Sequence, residues 1–531
     1  MITPGFFGFF NTYRGLVTAQ NALNTVNNNI SNANTAGYNR EEVDITEANP
    51  YQAPSTTQSS QIQIGQGSVV SDNTRVFDSF LATQFQNQSS LLGLDSQQNS
   101  VLNQIQGILS EPSDSGINDA VTNFFNAAQE LSQNPQSDPV RQTFVQSAAD
   151  LTTVANQVEG QLSDLRTNLV GDPTRPATLG TSQAAVTVNQ VNEYLQGVAQ
   201  LNQQIVTVTA SGAQPNDLLD QRDELLNKLS QLVDINVNRN ANGTVDVTVG
   251  TNTPPGGQTL VKGVDLIDTL QYVPNVTGVA GTLNDPVNCP GYVTTVNSGV
   301  VLNDPTAPAI ASGQLQGILN MGAGDYGSPV SLPGTSVMKV MQNLTQFMTQ
   351  LTSQVNTVQL SGLDINGNPA TQPIFQPNIP AAPPPSPYAV SFSVNPVLLA
   401  SGGTNLIAAA ENDPTAAGPP VGFAGPGDGR NALALGQLQE ADIPNLGNMT
   451  FADYWNAQIA QVGVQGQTYS DRTTSQQNVV NAITQQVQSE SGVDVDQETI
   501  DLLRYQRAFE ASSKVMQALD EIMQTIIGMV Q

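Results

Sequence analysis

Across 531 residues, 16 basic side chains stand against 44 acidic ones, a net charge of −28, and only 11% of residues are charged. Ordinary soluble domains are about one quarter charged, so the polarity here comes from Gln, Asn, Ser and Thr, and the shortage of Lys and Arg argues against nucleic acid or an anionic membrane as partner. No histidine is present and the one cysteine is Cys289, which removes the commonest general base, the commonest metal ligand and any intrachain disulfide.

The length predicts about three or four folded units rather than one core. No P-loop, dinucleotide fingerprint, Gly-x-Ser-x-Gly elbow or metal-ligand cluster occurs, so no cofactor and no catalytic site are expected. A pair of carboxylates far apart in the chain, as glycosidases use, is the one chemistry that spacing does not address. No basic residue precedes Arg14 and no small-residue cleavage site follows the apolar start, so a cleaved secretory signal is not expected. No stretch of about 18 apolar residues is present to span a membrane.

The first predicted helix covers residues 5–33. Phe9, Thr12, Leu16, Ala19, Leu23, Val26, Ile30 and Ala33 alternate at spacings of three and four, an apolar seam. Its end runs Asn27-Asn28-Asn29-Ile30-Ser31-Asn32-Ala33-Asn34-Thr35-Ala36-Gly37-Tyr38-Asn39-Arg40, asparagine-rich with Gly37 as the stop. Residues 40–76 alternate polar and β-branched residues and predict extended arms or a hairpin.

From Phe77 to Leu232 the pattern is helical: about 78–110, 117–133, 138–170, 181–210 and 215–232, with Pro112, Asn134-Pro135, Gly171-Asp172-Pro173 and Pro215 at the boundaries. Long helices joined by short Pro/Gly turns predict an elongated bundle. Two strings stand out: Phe124-Phe125-Asn126-Ala127-Ala128-Gln129-Glu130-Leu131, leading to Asp138-Pro139-Val140-Arg141-Gln142, and Asp217-Leu218-Leu219-Asp220-Gln221-Arg222-Asp223-Glu224. The acids of the second string sit in the first turns of a helix, where they complement its dipole. A carboxylate metal site is the alternative.

Between 234 and 325 the period changes to two. Ile235 and Val237, then Val245, Val247 and Val249, flank Asn240-Ala241-Asn242-Gly243, a hairpin signal, and Asn320-Met321-Gly322-Ala323-Gly324 closes the region. Residues 334–361 return to a helix whose methionines read as adaptable core. The run from Gly362 to Pro369 has the start of a calcium loop but neither Gly at its sixth position nor Glu at its twelfth, so a turn is expected. Gln376 to Pro387 carries six prolines and reads as a semi-rigid arm. A helix from Phe451 to Ser489 follows, with Trp455. Asp494 with Gln497, or Asp496 with Thr499, caps the last helix.

That last helix holds a heptad seam. Leu502, Phe509, Met516, Met523 and Val530 recur every seven residues, and Tyr505, Ser512, Leu519 and Ile526 follow three later. Ala508, Val515, Ile522 and Met529 widen the stripe beyond what one partner helix needs. One reading is an ordinary amphipathic helix docked on its own domain. The other is a coiled coil between the two termini, completed by further copies.

The string from Asn27 to Arg40, with Ser491-Gly492-Val493-Asp494-Val495-Asp496 and Leu502-Leu503-Arg504-Tyr505-Gln506-Arg507-Ala508-Phe509, resembles the terminal signatures of the flagellar axial proteins of rod, hook and hook-associated type. The two internal strings resemble the hook–filament junction branch of that family. Gly313–Leu319 and Asp428–Leu435 resemble that branch's returns into its helical core. Residues 376–390 are too few to hold the outer β-domain that larger relatives insert there. The resemblance implies export through the flagellar type III channel, an extracellular place at the hook–filament junction, and a homo-oligomeric ring. It implies hook protein on one side, the next hook-associated protein or flagellin on the other, and an export chaperone on the C-terminal helix. A hook or distal rod protein is the alternative within the class; an adhesin or carbohydrate-binding surface protein is the alternative outside it.

The expected fold is α+β and mainly α. Residues 1–36 with 491–531 form a terminal coiled coil, and 37–76 a linker or hairpin. Residues 77–233 with 334–361 and 430–490 form a helical bundle. Residues 234–333 make an inserted β-rich subdomain and 362–429 a β/Pro-rich insertion. Candidate assembly residues are Phe9, Leu16, Leu23, Ile30, Leu502, Tyr505, Phe509, Met516, Leu519, Met523, Ile526 and Val530.

Overall fold

The computed structural model describes residues 4–52, 63–109, 116–172, 175–250, 257–274, 291–302, 310–322, 335–378, 391–413, 415 and 422–530. Cys289, Pro112, Pro173 and the prolines from Pro380 to Pro387 lie outside them. The chain opens with α1 (Pro4–Asn32), followed by β1 (Glu41–Glu47), β2 (Tyr51–Gln52), β3 (Gln63–Ile64) and β4 (Ser68–Arg75). These strands form a hairpin: β1 pairs antiparallel with β4 from Glu41 opposite Arg75 to Glu47 opposite Ser68, and β2 with β3. The extended arms expected from the alternation are thus folded back on one another.

Next come α2 (Ser79–Leu109), α3 (Ile117–Gln133), α4 (Asp138–Val170), a short α5 (Pro176–Leu179), α6 (Gln183–Ala210) and α7 (Asn216–Leu232). The boundaries have local causes. Pro139 presets the first turn of α4, the Ser182 side chain accepts from Ala185 N at 3.3 Å to cap α6, and Gly171 with φ of +79° ends α4.

The β region holds β5 (Ile235–Arg239), β6 (Val245–Val249), β7 (Gln258–Lys262), β8 (Asp265–Leu266), β9 (Leu270–Pro274) and β10 (Gly291–Thr295). The first four form one antiparallel sheet in chain order, and β9 pairs with β10. The Asn240–Gly243 turn joins β5 to β6 as its sequence predicts, with Val237 opposite Val247. α8 (Gln314–Gly322) then returns to the bundle. Its Gly322 is helical rather than a closing turn, and Gly317 lets it lie flat on α2: a Cβ there would come within 2.8 Å of Gln97 Cβ.

α9 (Val337–Ser361), β11 (Phe375–Asn378), β12 (Ser391–Val394), α10 (Pro396–Leu399), α11 (Arg430–Gln437), α12 (Phe451–Ser491) and α13 (Val495–Val530) complete the chain. The first residues of the expected proline-rich arm are a strand. Gln376 to Asn378 belong to β11, which pairs with β12, because Phe375, Phe392 and Val394 are all buried there. The two-stranded edge tolerates Pro377. The turn after α9 is closed by Asp364, whose Oδ1 accepts from Asn366 N and Asn368 N at 2.8 Å each.

One core runs through the helices and the β region. Its aromatic centre joins five elements. Phe124 sits 5.2 Å from Phe144 and 5.5 Å from Phe375, and Phe347 sits 5.5 Å from Trp455 and 5.9 Å from Phe451, centroid to centroid. Met341 and Met348 are buried in the same core, filling space as methionine does. Arg141 is also buried and donates to the carbonyls of Pro135, Thr404 and Ile407, which ties the segment after α10 to the start of α4. The fold is mainly α, with small antiparallel sheets inserted.

Candidate assembly interface

α1 and α13 pack side by side, antiparallel. Gly8 lies beside Leu519, Gly15 beside Ser512, and Asn29 beside Glu498. Each step of seven forward on α1 is a step of seven back on α13, so Ala22 falls level with Tyr505. The row on α1 that meets α13 is therefore made of small residues. Leu16, Leu23 and Ile30 each come one residue after it and are half-buried, while Phe9 is exposed. On α13, Leu502, Tyr505, Phe509, Met516, Leu519 and Met523 are half-buried and Ile526 is exposed. The side chain of Val530 lies outside the described residues.

α1 is covered on another side by the hairpin. Asn11 Nδ2 donates to Gly65 O at 3.0 Å, Arg14 Nη1 to Gln66 O at 3.1 Å, and Thr18 Oγ1 to Ser68 O at 3.1 Å. α13 has no such cover among the described residues. Val515, Ile522 and Met529 are 51%, 54% and 79% exposed, and they recur every seven residues with Ala508, which is also exposed. Ile500, Leu503 and Ile527 are exposed as well. One apolar stripe of α13 thus faces α1, and a second faces outward.

The joint between this pair and the helical bundle is built from the signature after α1. Gly37 has φ of +79°, and a Cβ there would lie 3.3 Å from Glu224 on α7, so the turn needs glycine for both shape and closeness. Tyr38 turns back and donates its hydroxyl to Asn29 Oδ1 at 2.8 Å. Burial and nearby carboxylates, Glu41 first, hold that phenol well above its ordinary range. Asn39 donates from N and Nδ2 to Asp220. Arg40 N donates to Ser491 O at 2.8 Å, joining the end of α12. Asp494 Oδ1 accepts from Asp496 N at 3.0 Å and Gln497 N at 3.4 Å to start α13, the first of the two expected caps.

The acidic string of α7 is the hub. Asp220 accepts from Arg75 Nη1 at 2.7 Å, and Asp223 from Arg75 Nη2 at 2.6 Å and Arg239 Nη1 at 3.0 Å. Arg75, Asp220 and Asp223 are each less than a tenth exposed. The guanidinium groups of Arg75 and Arg239 lie 4.4 Å and 4.5 Å from the Phe77 ring centroid, a double cation–π contact. Arg222 lies 3.7 Å from Asp223 Oδ1 through Nη2 and donates from Nη1 to Gly243 O in the β5–β6 turn; burial pushes its pKa down to about 10. Burial also pushes the Asp220 carboxyl up, against the pull of Asn39 and Arg75. The sequence reading of the acids as dipole complements fits Asp217, which stands in the first turn of α7, and is corrected for Asp220 and Asp223. These two are buried ligands for arginines that lie 145 and 148 residues away for Arg75 and 16 away for Arg239. Beside the hub a cleft of about 650 Å³ opens between Phe77, Leu81, Phe85, Glu224 and Val487.

Among the described residues no group of three or more potential ligands could hold a metal ion, and no helix is long and apolar enough to cross a membrane. The model of the flagellar hook-associated protein FlgK helical domain matches residues 102–375, just over half of the chain. The chain belongs to the FlgK family. A second model, of the flagellar basal body rod FlgEFG protein C-terminal region, matches residues 484–529, the end of α12 and nearly all of α13. The chain is 26% identical to flagellar hook-associated protein 1 of Bacillus subtilis, over 99% of both chains. It is 27% identical to the protein of the same name from Salmonella typhimurium, over 97% of this chain and 98% of that one. A solved structure of the flagellar hook junction protein FlgK from Burkholderia pseudomallei shares the fold. The TM-score is 0.59 at 19% identity, over 77% of this chain and 100% of that one.

The hub gives a direct expectation. Removing one partner from a buried ion pair costs about 3–5 kcal/mol, so Asp223→Ala should speed hydrogen exchange of the β1 and β4 amides by about two to four orders of magnitude. Amides in α4 should keep wild-type rates. Unchanged exchange in β1 and β4 would mean that the hub does not hold the hairpin.

Proposed function

We propose that the chain is a structural subunit of the bacterial flagellum, placed between hook and filament, with α1 and α13 as its assembly element. The observation that carries this reading is the second apolar stripe of α13. A single partner helix covers one face of an amphipathic helix. Here the partner is α1, and Val515, Ile522 and Met529 are left over. Neighbouring copies in a closed ring bury that stripe and complete the core that one copy begins. The terminal unit includes 1–36 with 491–531, carried on a helical body by the 37–76 hairpin. Hook protein lies on one side of the ring, and the next hook-associated protein or flagellin on the other. The role is mechanical rather than catalytic.

The match of the helical domain to the hook-associated model favours the junction over a hook or rod subunit, since the C-terminal match is one that rod proteins share. The same reading has the subunit exported through the flagellar type III route. An apolar helix end exposed before assembly invites aggregation, so an export chaperone covers α13 until the subunit is placed.

Two outcomes test this. Val515→Glu with Ile522→Glu changes exposed positions, so subunit stability should stay within about 0.5 kcal/mol of wild type, while cells carrying the variant make hooks without filaments. Full-length filaments on such cells would contradict the assembly role. Deleting residues 497–531 should abolish chaperone binding in calorimetry; unchanged affinity would place the chaperone elsewhere.

A further inference from the structure

Asn29 is 1% exposed and its side chain is fully committed. Oδ1 accepts from the Tyr38 hydroxyl at 2.8 Å and from Glu41 N at 2.9 Å, while Nδ2 donates to Glu41 O at 2.9 Å and Glu498 Oε1 at 3.1 Å. One amide thus fixes α1 to the hairpin and to α13 at once. Glu498 is 4% exposed, so losing this contact would leave a buried carboxylate without its amide donor.

The rest of the α1–α13 contact makes no comparable demand. The row on α1 is Gly8, Gly15, Ala22 and Asn29, and opposite it stand Leu519, Ser512, Tyr505 and Glu498. Gly and Ala accept any of those side chains. The seam residues Leu502, Phe509, Met516 and Met523 repeat every seven, so sliding α13 by one heptad lays apolar residues where apolar residues were. Apolar packing alone therefore leaves neighbouring registers close in free energy. A slide of α13 by one heptad puts Tyr505 opposite Asn29 and strands Glu498; a slide the other way runs past the start of α13 at Val495.

We propose that the Asn29–Glu498 contact is the register lock of the terminal helix pair, selecting one alignment of α13 on α1 from those the heptad repeat allows. Buried polar groups at single seam positions are known to set register in coiled coils at some cost in stability. The inference concerns the isolated chain and holds whether or not the flagellar reading does. Under that reading its consequence is large: a slip of one heptad moves the outward stripe by about 10 Å along the axis, out of level with the same stripe on a neighbour.

Engineered disulfides in the purified full-length chain, with Cys289→Ser as background, read the register directly. A Cβ on Gly15 would lie 3.3 Å from Ser512 Oγ, so Gly15→Cys with Ser512→Cys reports the observed alignment, and Gly15→Cys with Leu519→Cys reports a slip of one heptad. Under mild oxidation the first pair should crosslink and the second should not. Adding Asn29→Leu should raise the slipped crosslink about tenfold relative to the aligned one, the size set by loss of one hydrogen bond to a charged group. Glu498→Gln keeps an acceptor oxygen for Asn29 and should retain wild-type selectivity. The proposal is overturned if the slipped pair already forms in the parent chain. It is also overturned if Asn29→Leu leaves the ratio unchanged, or if both crosslinks vanish while a protease digest shows the helical body intact. The last result would make Asn29 a general stabiliser of the pair rather than a selector. Asn29→Ser repeats the test should the leucine variant fail to fold.

Discussion

Two carboxylates on one helix hold the molecule's two parts together. Asp220 and Asp223 of α7 take Arg75 between them, and Asp223 takes Arg239 as well. Through Arg75 they hold β4, through β4 the hairpin, and through the hairpin α1. Arg239 brings in the four-stranded sheet, and Arg222 on the same helix brings in its first turn. Buried ion pairs are weak sources of net stability, because desolvation offsets most of their attraction. Their value here is directional. Two forks, two acids and the Phe77 ring fix where the terminal unit leaves the bundle, which apolar contact alone would leave free to rotate.

The terminal unit shows a different balance. α1 is covered by the hairpin and by α13, whereas among the described residues α13 is covered chiefly by α1. Its seam residues are half-buried and its second stripe is open. A helix in that state draws little stability from tertiary packing, so its order depends on what else covers it. The hub makes the unit's attachment rigid and the open stripe leaves its own helix incomplete. In the assembly proposed above, neighbouring copies finish that end.

Much of this was legible in the sequence. Proline and glycine punctuation placed α3 and α4 and the ends of α6 and α7 to within a residue or two, since those breaks are local. The change of period at Asp234 announced the β region, and the surplus apolar stripe of α13 was visible as a third residue in each heptad. The row Gly8, Gly15, Ala22 and Asn29 was equally visible but carries little hydrophobicity, so a search for apolar seams selects Leu16, Leu23 and Ile30 beside it. The true partners of Asp220 and Asp223 were not legible. An acid in the first turns of a helix satisfies a local rule, and nothing within α7 indicates that arginine from a distant strand will occupy it. The β11–β12 pair was hidden for a related reason, because proline-rich composition masked a strand that puts Phe375 into the core.

The most direct measurement of the central claim, that neighbouring copies bury the outward stripe of α13, is thiol labelling at that stripe. With Cys289→Ser as background, Val515→Cys is treated with a maleimide in the isolated chain and in purified hook–filament assemblies. Rapid modification in the isolated chain and strong protection in the assemblies is the predicted result. Equal modification in both would contradict the account.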